Sequence, residues 1–324
     1  MKIFRRRFLQ GIAAVAFPAV SRFAGAQAYP SRPVRVIVPF TPAGTTDILA
    51  RLIGQWLSDR LGQPFVIENR PGATTMIGTE AVVRSPDGYT LMLIGPPSAT
   101  NTTLYENRLS YNFLRDIAPI AVVFRVPNVV VVHPSFPATS IPELIAYAKA
   151  NPGKINHESA GTGTSSHLAG ELFKFMTGTN MVHVPYRGNA PALTDLLAGQ
   201  VQLGFDTMPA SIEYIKAGRL RALGIATAAR SQRLPDLPSV SQFVPGYESS
   251  AFFGFGAPAN TPAAIVDKLN GEINAGLDDP KLKAQLADLG GVLIPGSPAD
   301  FRALIAAETE KWAKVIRAAN IKAE

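Results

Sequence analysis

Residues 34–38, Val-Arg-Val-Ile-Val, are almost continuously apolar and β-branched, the pattern of a strand covered on both faces. Pro39 and Pro42 stop that run and Gly44 permits a tight turn. Ile48, Leu49, Leu52, Ile53, Trp56 and Leu57 then recur at helical spacing until Gly62. The same alternation continues along the chain. Apolar runs predict strands at 65–67, 90–94, 117–124, 129–132, 155–159, 181–186, 201–205, 220–226 and 252–256, and amphipathic stretches predict helices at 77–83, 141–150, 165–176, 190–198 and 211–216. Ser140-Ile-Pro-Glu143 has capping-box spacing. Thr261-Pro262, Pro280 and Ser297-Pro-Ala-Asp300 open three C-terminal helices, the last presenting Phe301, Leu304, Ile305, Trp312 and Ile316 on one face. Alternating strands and helices predict largely parallel sheets flanked by helices, and about ten strands exceed one small sheet, so two α/β lobes are expected. With crossings near the valine run at Asn128 and the aromatic strand at Phe252, the lobes are 29–125 plus 249–324, and 126–248.

The N-terminus departs from this pattern. Lys2 and Arg5-Arg6-Arg7 precede an apolar run over 11–20, and Ala24-Gly-Ala26 and Ala26-Gln-Ala28 offer small-residue cleavage sites. The run is too short to span a bilayer, so residues 1–28 are expected to be a cleaved export signal, by the Sec or the twin-arginine route. This changes the charge balance. The whole chain carries 31 Lys+Arg and 24 Asp+Glu; without Lys2, Arg5, Arg6, Arg7 and Arg22 it keeps 26 basic residues and a net charge of +2. The basicity belongs mostly to the signal and does not argue for nucleic acid. Cysteine is absent, which excludes disulfides, thiolate catalysis and Cys-ligated metals.

The turn after the first strand leaves unpaired N–H groups at a positive helix start, with the hydroxyls of Thr41, Thr45 and Thr46 beside them. Val182-His-Val-Pro-Tyr186 repeats the Val-x-Val-Pro-aromatic form of Val36-Ile-Val-Pro-Phe40, and Ala160-Gly-Thr-Gly-Thr-Ser-Ser166 makes a third polar helix start. Three such starts divided between two lobes can line one cleft at the carboxyl ends of the strands, and Arg187 can add a bidentate partner for a carboxylate. Enzyme readings are weaker. The stretch from Gly161 has Ser166 where a dinucleotide fingerprint needs its third glycine. A hydrolase would have to combine Ser165 or Ser166 with the adjacent His167, since no Gly-x-Ser-x-Gly elbow exists. His167 and Glu171 share a helical face, but no second pair completes a metal site.

Pro39-Phe-Thr-Pro-Ala-Gly-Thr-Thr-Asp47 resembles the first-loop pattern of the Bug family, periplasmic receptors of tripartite tricarboxylate transporters. The likeness continues through Glu68-Asn-Arg-Pro-Gly-Ala73, Pro86-Asp-Gly-Tyr-Thr-Leu91, Gly161-Thr-Gly-Thr-Ser-Ser-His-Leu-Ala-Gly-Glu-Leu-Phe173, Val184-Pro-Tyr-Arg-Gly188, Leu196-Leu-Ala-Gly-Gln-Val201, Asp236-Leu-Pro-Ser-Val240, Gly254-Phe-Gly-Ala-Pro-Ala259 and Thr261-Pro262, nearly the whole mature chain in order. The resemblance implies a type II periplasmic-binding-protein fold, two α/β lobes with a ligand cleft between them. It implies that a ligand carboxylate is held, partly through water, by the loop of Phe40, Thr41, Ala43, Gly44, Thr45, Thr46 and Asp47 and by the loop of Ser159, Gly161, Thr162, Thr164 and Ser165. It places Asp206 on the cleft wall, facing an amine, a hydroxyl or water. Ala43-Gly44 stands where the family has Gly-Gly, Ala73-Thr-Thr75 replaces a glycine-richer stretch, Pro96-Pro97-Ser98 replaces a Ser/Thr-rich turn, and Asn189 stands where a small residue is common.

The expectation is therefore an exported, monomeric, non-enzymatic solute-binding protein without cofactor or metal. It captures a small organic carboxylate and presents it to integral-membrane permease subunits. Phe40, Ser98, Tyr186, Arg187 and Asp206 would set selectivity at the ligand's far end. A sensor subunit for a membrane kinase and an exported serine hydrolase are the alternatives.

Overall fold

The computed structural model describes residues 29–323; the expected export signal, 1–28, lies outside them. The chain begins with β1 (Val34–Val38), which leads through the turn at 39–44 into α1 (Thr45–Leu61). Gly62 ends α1 in the left-handed conformation, φ 70°, and its N–H donates to the Ser58 carbonyl. Next come β2 (Phe65–Asn69), α2 (Met76–Val83) and β3 (Thr90–Ile94), with β2 and β3 pairing parallel to β1 on its two sides. Two helices absent from the sequence pattern follow, α3 (Pro97–Leu104) and α4 (Phe113–Asp116).

The predicted strands at 117–124 and 129–132 prove to be one, the 16-residue β4 (Ile117–Val132). After it the second series runs α5 (Ile141–Ala150), β5 (Asn156–Ser159), α6 (Ser165–Thr177), β6 (Val182–Pro185), α7 (Asn189–Leu197), β7 (Leu203–Thr207), α8 (Met208–Lys216) and β8 (Arg221–Ile225). The return strand β9 (Ser250–Pro258) leads to α9 (Ala263–Asp278), α10 (Pro280–Asp288), the short β10 (Val292–Leu293) and α11 (Pro298–Ala318). The capping box expected for α11 is formed: Ser297 Oγ accepts from Asp300 N and Asp300 Oδ2 accepts from Ser297 N.

Strand order is β2-β1-β3-β9-β4-β7-β5-β6, with β8 and β10 also paired to β4. The sheets are less parallel than the alternation of elements suggests. β5 pairs parallel with β6 and β7, but β9 is antiparallel to β3 and β4, and β4 is antiparallel to β7, β8 and β10. The cause is that β4 and β9 are the crossings. Each carries the chain from one lobe to the other and must run against the strands it joins. Val126 and Pro127 oppose Ala251 and Ser250 at that point.

Each lobe has its own apolar core. In the first, Val36, Val38, Leu49, Ile53, Phe124, Phe255, Leu269 and Ile273 pack on one sheet face, and Ile37, Ile94, Phe252, Phe301 and Ile305 on the other. In the second, Val130, Val132, Phe173, Phe205 and Tyr247 occupy one face and Val129, Val131, Leu196 and Ile212 the other. Every second residue of the valine run serves a different core, as a two-sided buried strand requires. The end of α11 links the lobes: Trp312, Ile316 and Ile321 cluster with Leu168 of α6. Among the described residues no helix is long and apolar enough to cross a membrane.

Candidate functional site

The starts of α1 and α6 come from opposite lobes and meet in the cleft. At α1, Asp47 does not face outward. Its carboxylate accepts from Ala43 N at 3.0 Å, from Arg51 Nε and Nη2 at 2.9 and 3.0 Å, and from Asn69 Nδ2 at 3.0 Å. Burial opposes the charge, but these donors hold the group below the ordinary carboxylate range. Asp47 therefore fixes the loop and keeps Ala43 at φ 66°, a left-handed value uncommon for alanine. At α6, Thr164 Oγ1 accepts from His167 N, Ser166 Oγ accepts from Ala160 N at 3.0 Å, and His167 Nδ1 accepts from Gly163 N at 3.1 Å.

Between these starts lies a small chamber of about 20 Å3, lined by Thr46, Ser165, Ser166, Asn189 and Thr207 with Pro96, Pro97 and Phe253. It shares Phe40, Ala160 and Thr164 with a larger cavity of about 230 Å3 that extends past Pro39, Ala73, Thr74, Thr75, Tyr105, Gly161, Thr162 and Pro185 to Tyr186 and Arg187. Of the residues expected at the site, Phe40, Thr46, Gly161, Thr162, Thr164, Ser165, Tyr186 and Arg187 line one chamber or both. Thr41, Ala43, Gly44 and Thr45 shape the loop behind. Ser98 turns away, donating to the Gly95 carbonyl at 2.7 Å. Ser159 Oγ accepts from Gly161 N at 3.1 Å and bonds His183 Nε2 at 2.6 Å. Arg187 is exposed at the cavity mouth. Tyr186 donates to Asp195 Oδ2 at 2.6 Å, which anchors its ring as a wall.

Asp206 is fully buried and lines neither chamber. Its Oδ1 accepts from Asn189 Nδ2 at 3.2 Å, and behind it stands Glu158, also fully buried. A Cβ on Gly204 would collide with Glu158 Oε1, so glycine at 204 is what makes room for this carboxyl. Burial first, then the neighbouring carboxyl, pushes Glu158 far above its ordinary range, and burial raises Asp206 as well. Among the described residues no cation pairs with either carboxyl, so the pair favours a protonated form.

The lobes also touch directly. Thr45 Oγ1 and Thr207 Oγ1 lie 2.8 Å apart, and Thr100 Oγ1 of α3 donates to the Gly163 carbonyl at 2.8 Å. Gly188, at φ 134°, abuts Thr41 so closely that a Cβ would strike its hydroxyl. Gly44 approaches Asn189 in the same manner, an added Cβ lying 3.3 Å from Oδ1.

Among the cavity residues not expected as site residues are Ala73, Thr74, Thr75, Tyr105, Asn189 and Thr207. Ala73, Thr74 and Thr75 all have positive φ, at 44°, 47° and 72°. Asn101 Nδ2 holds them by donating to the Thr74 carbonyl at 2.8 Å, and Thr74 Oγ1 bonds Tyr105 Oη at 3.1 Å. The departures at 73–75, 96–98 and 189 were the available signal, and all three segments border the two chambers or the small void beside Phe40.

Catalytic alternatives find no support in this geometry. His167 spends Nδ1 on a backbone N–H, and Ser165 Oγ accepts from Asn128 Nδ2 at 3.3 Å. The rings of His157, His167 and His183 stack, with His183 5.1 Å from His157 and 4.1 Å from His167, and burial lowers the pKa of all three. Among the described residues no group of three His, Cys, Asp or Glu can hold a metal.

Two α/β lobes joined by crossing strands, with helix starts facing each other across a shared cleft, define a solute-binding protein of the periplasmic-binding class. A family model, the tripartite tricarboxylate transporter family receptor, matches residues 49–321, and the chain belongs to that family. It is 37% identical over 312 residues to Protein BugT of Bordetella pertussis (strain Tohama I), covering 95% of each chain. An R. palustris protein solved with adipate superposes with a TM-score of 0.89 at 41% identity, covering 91% of this chain and 99% of that one. MatC from Rhodopseudomonas palustris, with bound malate, superposes with a TM-score of 0.85 at 30% identity, over 89% and 100%. The protein is a Bug-type binding receptor and not an enzyme.

Proposed function

We propose that the protein is an exported receptor that captures a small organic carboxylate between lobes 29–125 with 249–324 and 126–248, and delivers it as a monomer to integral-membrane permease subunits. The observation that carries this reading is the small chamber between Thr46 and Ser165–Ser166. Two helix starts from opposite lobes aim N–H groups into one space, and an anion there joins the lobes. The body of the ligand extends into the 230 Å3 cavity, and its far end meets Tyr186 and Arg187. Arg187 suits a second acidic group. Adipate and malate in the related structures are acids of this kind. The basic and apolar runs of residues 1–28 support export.

The test is a thermal-shift screen of refolded protein against carboxylates and their matched amides. A ligand at a hundred times its Kd adds about 2.7 kcal/mol and raises the midpoint by roughly 2 °C or more. A shift with acids and none with amides supports the seat, and equal shifts with both overturn it. Deleting the gene should abolish uptake of the shifting acid by whole cells, and intact uptake would overturn the delivery role.

A further inference from the structure

We propose that Asn189 makes this receptor selective for carboxylates that carry a hydrogen-bond donor, a hydroxyl or an ammonium group, on the carbon next to the acid; the inference rests on the carboxylate reading above. Asn189 opens α7 and lines the small chamber with Thr46, Ser165 and Ser166. The amide turns Nδ2 toward Asp206, whose Oδ1 accepts from it at 3.2 Å. That fixes the other half of the amide. Oδ1 is turned toward the first lobe at Gly44, and no donor of the protein bonds it among the described residues.

The chamber therefore sets an amide acceptor, which cannot donate, beside the helix-start N–H donors. The helix starts suit the ligand's carboxylate, whereas the amide oxygen repels an acid oxygen and is left unpaired by a bare methylene. A hydroxyl or ammonium beside the carboxylate satisfies it. Sites built to bond such a group disfavour the analogue lacking it, because the bound ligand then covers a polar atom without giving it a partner.

Asp206 enters as a positioning residue. Asn189 stands between it and the ligand, so the carboxylate acts through the amide. Glu158, in the space opened by Gly204, stands behind Asp206 and completes its buried setting.

Calorimetric titration with two series of diacids tests this: succinate, malate and aspartate, and adipate, 2-hydroxyadipate and 2-aminoadipate. Within each series the substituent alone changes, and the hydroxy and amino members separate the two donor types. In the wild type at least one substituted acid should bind about tenfold or more tighter than its parent. Asn189→Leu and Asn189→Ala should bring that ratio close to one, read as the ratio of substituted to parent acid within each variant. Asp206→Asn frees the amide to turn over and should lower the ratio with Asn189 intact, a change that general loosening of the site would not produce. Equal binding of parent and substituted acids by the wild type, or a ratio that survives both Asn189 variants, overturns the inference and leaves the carboxylate reading standing. Failure of every acid to bind overturns that reading and this one together.

Discussion

Burial raises the pKa of both Glu158 and Asp206, and this fixes the sign of a pH effect. Each carboxyl is more basic in the folded protein than in the unfolded chain, Asp206 reaching about 7. The folded state thus holds a proton that the unfolded state releases above the ordinary carboxylate range. Their contribution to stability is complete below that range and is lost as pH rises through about 7. The buried histidines act with the opposite sign. Burial lowers His167 to about 4, so the unfolded chain takes up protons first and stability falls as pH drops from the ordinary histidine range through about 4. Urea unfolding midpoints should therefore peak in weak acid. In Glu158→Gln the amide donates to Asp206 without needing a proton, so the alkaline decline should flatten while the acid decline persists. An unchanged alkaline limb would show that the pair does not cause it.

At the level of elements, α3 is the least obvious and among the most connected. Its sequence, Pro-Ser-Ala-Thr-Asn-Thr-Thr-Leu, is dominated by weak helix formers, so periodicity does not reveal it. Packing against α11 and bonds from Thr100 and Asn101 hold it in place. The starts of α1 and α6 were legible because strand, turn and amphipathic helix follow directly in sequence. The left-handed turn at 73–75 was not, since alanine and threonine seldom adopt it and partners from α3 impose it. Likewise the resemblance could place Asp206 near the cleft, but its burial depends on Glu158 and Asn189 from two other segments, which meet its strand only on folding. For α3, Thr100→Val leaves the Gly163 carbonyl unpaired, and Thr45→Val removes the bond to Thr207. Each should weaken carboxylate binding roughly three- to tenfold, equivalent to about 1 kcal/mol of closure. Titration of the ligand that stabilises the wild type checks this, and unchanged affinity would show that the bonds do not favour closure.

For the whole molecule, β4 and β9 are the covalent crossings, and α11 adds an apolar strap from the first lobe to α6. Function as a receptor requires the lobes to part and close about these segments. Because the chain has no cysteine, the double substitution Thr45→Cys with Thr207→Cys offers one possible disulfide, between positions whose hydroxyls lie 2.8 Å apart. Oxidised, this variant should be locked closed, with ligand uptake slowed at least a hundredfold and restored by dithiothreitol. Binding at the wild-type rate in the oxidised form would mean that ligand enters without separation of the lobes.

The bonds from Thr45 to Thr207 and from Thr100 to Gly163 join protein to protein, so they favour closure equally whether the cleft is filled or empty. An interaction that treats both forms alike raises affinity but cannot report occupancy. For a receptor read by its shape, the consequence is a background signal: some unloaded copies take the shape of loaded ones. Sensitivity to scarce ligand and fidelity of the message are thus set against each other by two threonine contacts, and loosening them should trade the first for the second.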